Sequence, residues 1–117
     1  MSAADTKALI AQAVERLREE LPALRTLQLV VRLELYTHGH DVPIWRVEVQ
    51  GPKIDRDPAA DARVDVSVAR PRFNELAKDG TLEDWARAYD RGDVKVTGDR
   101  AVLALLGNVI QRRRARV

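Results

Sequence analysis

The sequence predicts an α+β fold in which helices pack on one face of a β-sheet. The spacing of apolar residues is helical before Pro22, alternating from Leu27 to Val68, and helical again after Pro71. Two glycines, Gly92 and Gly98, enclose one more short alternating stretch before a last helical segment. The resulting order of helix, three or four strands, two helices, strand and helix is typical of a sheet with helices on one face.

The first two predicted elements are an amphipathic helix and a long strand. Apolar residues recur at helical spacing from Ile10 to Leu21 with charged residues between them, and Pro22 ends the helix. From Leu27 to Leu35 every second residue is apolar, which predicts a half-buried strand.

A hairpin and two further strands are predicted next. The segment Thr37–Asp41 is a turn, and Ile44–Val49 forms the antiparallel return strand. Gly51-Pro52 interrupts the pairing, so Ile54–Pro58 is expected to hold at most a short edge strand. Alternating valines in Ala62–Val68 predict another strand.

Two helices follow, each with recognisable end signals. Pro71 suits the first turn of a helix that carries Phe73 and ends near Gly80. Thr81 and Asp84 have the spacing of a capping box, and they open a helix on which Leu82, Trp85, Ala86 and Tyr89 share a face. Gly92 ends this helix.

The chain closes with a short strand at Val94–Val96 and a helix that Asp99 can cap. The apolar surface of this helix is unusually wide. Its members are Val102, Leu103, Leu105, Leu106, Val109 and Ile110. Two interpretations stay open: the surface belongs to the core, or it lines a cavity.

The length and composition predict one globular domain over residues 1–117, since 45% of the residues are apolar and 32% are charged. Cysteine is absent, which excludes disulfides, thiolate nucleophiles and cysteine-ligated zinc. A net charge of +2 does not demand a nucleic-acid partner. The N-terminus lacks the pattern of a signal peptide and no apolar run could span a bilayer, so a cytoplasmic location is expected.

The sequence offers no catalytic site, no metal site and no cofactor motif. Ser2 and Ser67 lack the context of an activated nucleophile. His38 and His40 flank a glycine without a third placed ligand, so an ordinary polar turn is the preferred interpretation. A further aspartate cluster resembles part of a calcium loop, but Pro58 and two alanines occupy ligand positions, so a solvated turn is favoured. Its members are Asp55, Asp57 and Asp61.

Three motifs in this order resemble the sterol carrier protein 2 (sterol-binding domain) family, over most of the chain from Leu27 onward. They are the tryptophan-bearing strand Ile44–Val49, the step from Asp65–Val68 to Phe73, and the block Trp85–Asp99. The resemblance implies a five-stranded, mostly antiparallel sheet covered by helices. It also implies a hydrophobic tunnel between sheet and helices that carries sterols, fatty acids or acyl chains without catalysis.

We therefore expect a small lipid-binding domain, monomeric or homodimeric, whose partner is a fatty acid, an acyl-CoA or a sterol-like molecule. The residues expected to line the tunnel are Leu33, Leu35, Trp45, Val47, Phe73, Leu76, Trp85, Tyr89, Leu103 and Leu106. The alternative is a protein interaction or dimerisation module in which side chains fill the tunnel.

A cluster of arginines follows the last helix: Arg112, Arg113, Arg114 and Arg116. Cations at this position complement the C-terminal carbonyls of the helix and favour solubility. Transient contact with an anionic membrane is a second interpretation, and it fits a lipid cargo. Nucleic-acid binding is a third and weaker one.

Overall fold

The computed structural model describes residues 3–37 and 43–115, and its element order matches the predicted one. The predicted hairpin turn lies mostly in residues 38–42, outside the described part. The helices are α1 (Ala3–Glu20), α2 (Arg70–Asp79), α3 (Leu82–Asp90) and α4 (Arg100–Ala115). The strands are β1 (Val30–Tyr36), β2 (Ile44–Glu48), β3 (Lys53–Arg56), β4 (Val64–Ala69) and β5 (Val94–Gly98).

The long strand starts later than the sequence indicates, at Val30 instead of Leu27. A turn of 3₁₀ helix at Pro22–Arg25 follows α1 and buries Leu24. Residues 27–29 then lead into the sheet, where the Leu29 carbonyl accepts a hydrogen bond from the Val49 N–H (2.9 Å). Alternation of apolar residues therefore marks the buried side of this segment but not the start of the strand.

The sheet has five strands in the order β3-β2-β1-β4-β5, and all neighbours except β1 and β4 are antiparallel. The predicted five-stranded, mostly antiparallel sheet is confirmed. β3 is the short edge strand, with four residues, and Pro52 and Pro58 flank it.

One lateral row of residues crosses the inner face of the sheet, which the helices cover. The backbone register pairs its members across all five strands, from one edge to the other. The row runs Arg56, Trp45, Leu33, Val66 and Val96. Because paired residues on neighbouring strands project to the same face, these side chains form a continuous lane.

The outer face carries charged residues that pair with one another. Arg46 donates to Asp61 through Nε (3.0 Å) and Nη2 (2.7 Å), and to Glu48 through Nη1 (2.6 Å). The hydrogen bonds from Arg46 hold the pKa of Asp61 below its ordinary value. The outer face is therefore polar and faces solvent, and the inner face is the apolar one.

Helices α1 and α2 run in the same direction across the inner face. Arg70, at the start of α2, donates to the Thr6 hydroxyl near the start of α1. Arg16 of α1 donates to the carbonyls of Lys78 (3.3 Å) and Gly80 (3.5 Å) at the end of α2. These carbonyls lack partners within their own helix, so Arg16 satisfies groups that α2 leaves open.

The predicted end signals of the later helices are confirmed. Thr81 and Asp84 form a capping box, with Thr81 N donating to Asp84 Oδ2 (2.9 Å) and Asp84 N donating to Thr81 Oγ1 (3.3 Å). Asp99 Oδ1 accepts from the N–H groups of Ala101 (2.9 Å) and Val102 (3.2 Å). Gly92 follows α3 with φ 83°, in the left-handed region that favours glycine.

Replacement of Gly98 by alanine is expected to destabilise the protein. The φ of Gly98 is 146°, and a Cβ there would lie 2.2 Å from the Arg63 carbonyl oxygen. We expect Gly98→Ala to lower the free energy of unfolding by about 1–3 kcal/mol in urea titrations. The control is Gly107→Ala in α4, where a Cβ meets no atom within 4 Å. This control should raise stability by about 0.5–1 kcal/mol, and equal effects of the two substitutions would contradict the prediction.

Acid should weaken the protein partly through Asp84. Hydrogen bonds from the backbone N–H and the hydroxyl of Thr81 hold the pKa of Asp84 below its ordinary value. A lowered carboxyl pKa stabilises the fold above the unfolded-state pKa, near 4, and this stability is lost as the pH falls through the folded-state pKa. Asp84→Asn should therefore flatten the fall in urea midpoint between about pH 5 and about pH 2.

Part of that fall should persist in Asp84→Asn, since Asp61 acts in the same direction through Arg46. Thr81→Ala removes the hydroxyl and keeps the backbone donor, so its acid dependence should lie between those of the wild type and Asp84→Asn. A wild-type acid dependence in Asp84→Asn would contradict the assignment.

Candidate functional site

Three apolar residues on the inner face of the sheet are only half-buried. Val31 on β1 and Val66 on β4 are only half-buried, although both belong to interior strands. Val96, which pairs with Val66 across β4 and β5, is also half-buried. Neighbouring inner-face residues such as Val64 and Val68 are buried. We call this half-buried patch, formed by Val31, Val66 and Val96, the gap.

Helix α3 contributes an aromatic side chain at the margin of the apolar core. Trp85 is half-buried, and its ring meets the ring of Phe73 edge to face, with centroids 6.2 Å apart. The capping box at Thr81 fixes where α3 begins, and therefore which residues face inward. Leu82 and Ala88 are buried, whereas Tyr89, expected on the same face, is 54% exposed.

Helix α4 packs against the core without being buried in it. None of its 16 residues is buried, which argues against the interpretation of its apolar surface as core. Leu105 is 47% exposed. The half-buried apolar residues that pack against the core are Val102, Leu103, Leu106, Val109 and Ile110.

Polar contacts hold α4 at both ends. At its start, the Asp99 N–H donates to the carbonyl of Arg63, just before β4 (2.9 Å). At its end, Arg113 Nε donates to the carbonyl of Glu20 in α1 (2.9 Å), and Arg114 forms a bidentate pair with Glu83 of α3 (3.0 and 3.1 Å). The helix thus runs from the β5 edge of the sheet to the C-terminal end of α1.

Glu20 connects three helices at this end of the molecule. Its side-chain Oε2 accepts a hydrogen bond from the backbone N–H of Leu82, at the start of α3 (2.7 Å), while its carbonyl accepts from Arg113 of α4. A carboxylate at the start of a helix also interacts favourably with the helix dipole. The contact spans 62 residues of sequence, and no local pattern indicated it.

The predicted lining residues fall into three groups, and their role in binding stays a prediction. Trp85, Leu103 and Leu106 are half-buried, and Tyr89 is exposed. The remaining predicted residues are buried in the packed core: Leu33, Leu35, Trp45, Val47, Phe73 and Leu76. Val31, Val66 and Val96 are not among the predicted lining residues, because nothing in the alternating pattern distinguishes them from covered neighbours.

A recess of about 240 Å³ lies between α2 and α3, but its lining is polar. It shares only Leu76 with the predicted tunnel. Its lining residues are Arg72, Glu75, Leu76, Asp79, Gly80, Asp84, Arg87 and Arg91. The three arginines are balanced by three carboxylates, so the recess has no net charge to attract an ion and little apolar surface for a lipid.

Among the described C-terminal arginines, Arg113 and Arg114 have intramolecular partners. Arg112 is exposed, and Arg116 lies outside the described residues. Within residues 3–37 and 43–115, no group of three or more His, Cys, Asp or Glu side chains is placed to hold a metal ion. His38 and His40 fall in the part that is not described.

No helix in the described part of the chain is both long and apolar enough to cross a membrane.

Comparison with known proteins identifies the fold. The sequence matches no family model and no curated protein. The structure is similar to palmitated SCP2L2 from Aedes aegypti, with a TM-score of 0.58, 23% identity, and coverage of 85% of this chain and 91% of that one. It is also similar to sterol carrier protein domain 2 of Helicoverpa armigera, with a TM-score of 0.58, 11% identity, and coverage of 90% and 84%.

A third similar structure is the ubiquinone synthesis protein UbiJ-SCP2, with a TM-score of 0.53, 19% identity, and coverage of 95% of this chain and 89% of that one. At these identities the likeness concerns the fold. The chain therefore has the sterol carrier protein 2 fold, which confirms the fold implied by the sequence motifs.

The ion pair between Arg114 and Glu83 is expected to limit the opening of α4. Both side chains are partly exposed, so the pair should contribute about 0.3–1 kcal/mol. Arg114→Ala should therefore speed amide hydrogen exchange in the last turns of α4 about twofold to fivefold. Arg112→Ala, on the same helix and exposed, serves as the control and should leave these rates unchanged. Equal rates in the two variants would show that the ion pair does not hold the helix.

Proposed function

We propose that this chain binds a lipid such as a fatty acid, acyl-CoA or sterol in a tunnel between sheet and helices, with the gap as its entrance, and carries it without chemical change. The observation that carries the proposal is the half-buried state of Val31 and Val66 on interior strands, together with the half-buried apolar face of α4. Apolar surface that the fold leaves half-covered is suited to an apolar ligand.

The shared fold supports the same function. One protein of this fold, SCP2L2 of Aedes aegypti, is described as palmitated. The cargo proposed here is of the same chemical class, and each methylene group that it buries would contribute about 0.8 kcal/mol. No catalytic group is required, because the hydrophobic effect supplies the affinity.

Binding requires α4 to move away from the sheet. Its apolar residues are half-buried, so separation exposes less apolar surface than opening the fully buried core would. The hydrogen bonds to the carbonyls of Arg63 and Glu20 then hold the two ends of α4 in place while its middle moves away from the sheet. The buried lining residues, such as Leu33 and Phe73, would be reached only after ligand enters.

Contact with an anionic membrane remains part of the proposal, and among the described arginines of this cluster the exposed Arg112 is the first candidate for it. Each basic residue near such a surface contributes about 1 kcal/mol. Arg113 and Arg114 would join only if α4 releases its contacts to Glu20 and Glu83.

Adjacent leucines in α4 provide a direct test. Leu106 is half-buried toward the core, whereas Leu105 is 47% exposed. Leu106→Asp should weaken palmitate binding at least about tenfold, because a carboxylate would have to be desolvated beside the ligand. Leu105→Asp should bind as the wild type does. Native mass spectrometry and fluorescence titration of the purified protein measure both affinities.

The proposal would be overturned if the wild type bound none of the three ligands: palmitate, acyl-CoA and a sterol. The alternative function, an interaction module with a filled tunnel, is favoured by the burial of Leu33, Leu35 and Phe73 in the packed core. It predicts a dimer in light scattering at several concentrations together with no bound lipid. A monomer that binds lipid, or a dimer that binds it, supports the carrier.

A further inference from the structure

We infer that the indole N–H of Trp45, together with the guanidinium of Arg56, binds the carboxylate of a single-chain fatty acid and sets its direction in the tunnel. This inference rests on the proposed function and adds the class of ligand and its orientation. It concerns two residues at one end of the lateral row across the sheet.

Trp45 presents a buried donor without an acceptor. The residue is 2% exposed, and its Nε1 is fully buried with no hydrogen-bond partner in the described part of the protein. The N–H of a buried tryptophan usually has a partner, because an unpaired buried donor loses its hydrogen bond to water. An acceptor in the tunnel would satisfy this group.

Arg56 places positive charge beside the same indole ring. It pairs with Trp45 across β2 and β3, and its guanidinium carbon lies 5.2 Å from the ring centroid. Among the described residues no carboxylate lies within ion-pair distance of Arg56. The guanidinium lies over the face of the ring whose edge carries the donor, and a carboxylate can accept hydrogen bonds from both kinds of group.

The row across the sheet sets the direction of the ligand. From Trp45 the row continues through Leu33 to Val66 and Val96, which lie in the gap. Three strand spacings separate Trp45 from Val96, or about 14 Å. A carboxylate at Trp45 therefore directs an extended hydrocarbon chain along the row, toward the gap and α4.

The carboxylate has to reach a part of the core that is closed in this structure. Leu33, the next residue in the row, is buried. A ligand that enters at the gap therefore passes its carboxylate along the row first, with the hydrocarbon following, and the packing around Trp45 opens to receive the head group. Transfer of a carboxylate into such a site is favourable only when charge-assisted hydrogen bonds offset its desolvation.

Palmitate and methyl palmitate separate the head-group contribution from that of the chain. We expect Trp45→Phe, which keeps an apolar ring and removes the donor, to weaken palmitate binding about tenfold or more. Binding of the uncharged ester should change less than about threefold. Arg56→Gln should likewise lower the ratio of palmitate affinity to ester affinity. Because Arg56 is exposed, this variant should still fold if Trp45→Phe does not, and it then tests the inference alone.

The matched control is Trp85→Phe, the same substitution at the half-buried wall of α3. It should weaken palmitate and the ester equally. In the wild type, the ¹H–¹⁵N indole resonance of Trp45 should move on addition of palmitate, as expected for a new hydrogen bond.

Three results would overturn the inference. One is an unchanged Trp45 indole resonance when palmitate is bound. Another is an unchanged palmitate-to-ester ratio in Trp45→Phe or in Arg56→Gln. The third is a wild type that binds neither palmitate nor its ester, and the proposed function falls as well only if acyl-CoA and a sterol also fail to bind.

Discussion

The hydrogen bonds at Glu20 are the contact on which the helical side of this molecule depends. Its carboxylate receives the first N–H of α3, and its carbonyl receives a guanidinium from the end of α4. The first bond ties the start of α3, which the capping box of Thr81 defines, to the end of α1. The second keeps the far end of α4 beside α1. Together they hold α3 and α4 against the C-terminal end of α1.

Features encoded in a few consecutive residues were predictable from the sequence. The capping box of Thr81 and Asp84, the cap at Asp99 and the glycine after α3 each follow from local hydrogen bonding or backbone conformation. The arrangement of the strands is set by contacts between distant segments. The family resemblance, rather than periodicity, indicated that the sheet has five mostly antiparallel strands.

The candidate site was harder to predict from the sequence, because it depends on which residues of the sheet the helices cover. Val64, Val66 and Val68 alternate identically along β4, yet Val64 and Val68 are buried while Val66 is half-exposed. The difference comes from how the helices cover the inner face of the sheet, which no property of a valine reveals. The unpaired N–H of Trp45 is likewise visible only when all its neighbours are placed.

The short strand β3 has a consequence for how the molecule behaves in a crowded solution. The unpaired backbone groups of an edge strand form a template on which another chain can add a strand. β3 is only four residues long, has prolines on both sides, and exposes Lys53 and Arg56. These features oppose edge-to-edge aggregation, which matters for a molecule that keeps apolar side chains half-exposed elsewhere on its surface.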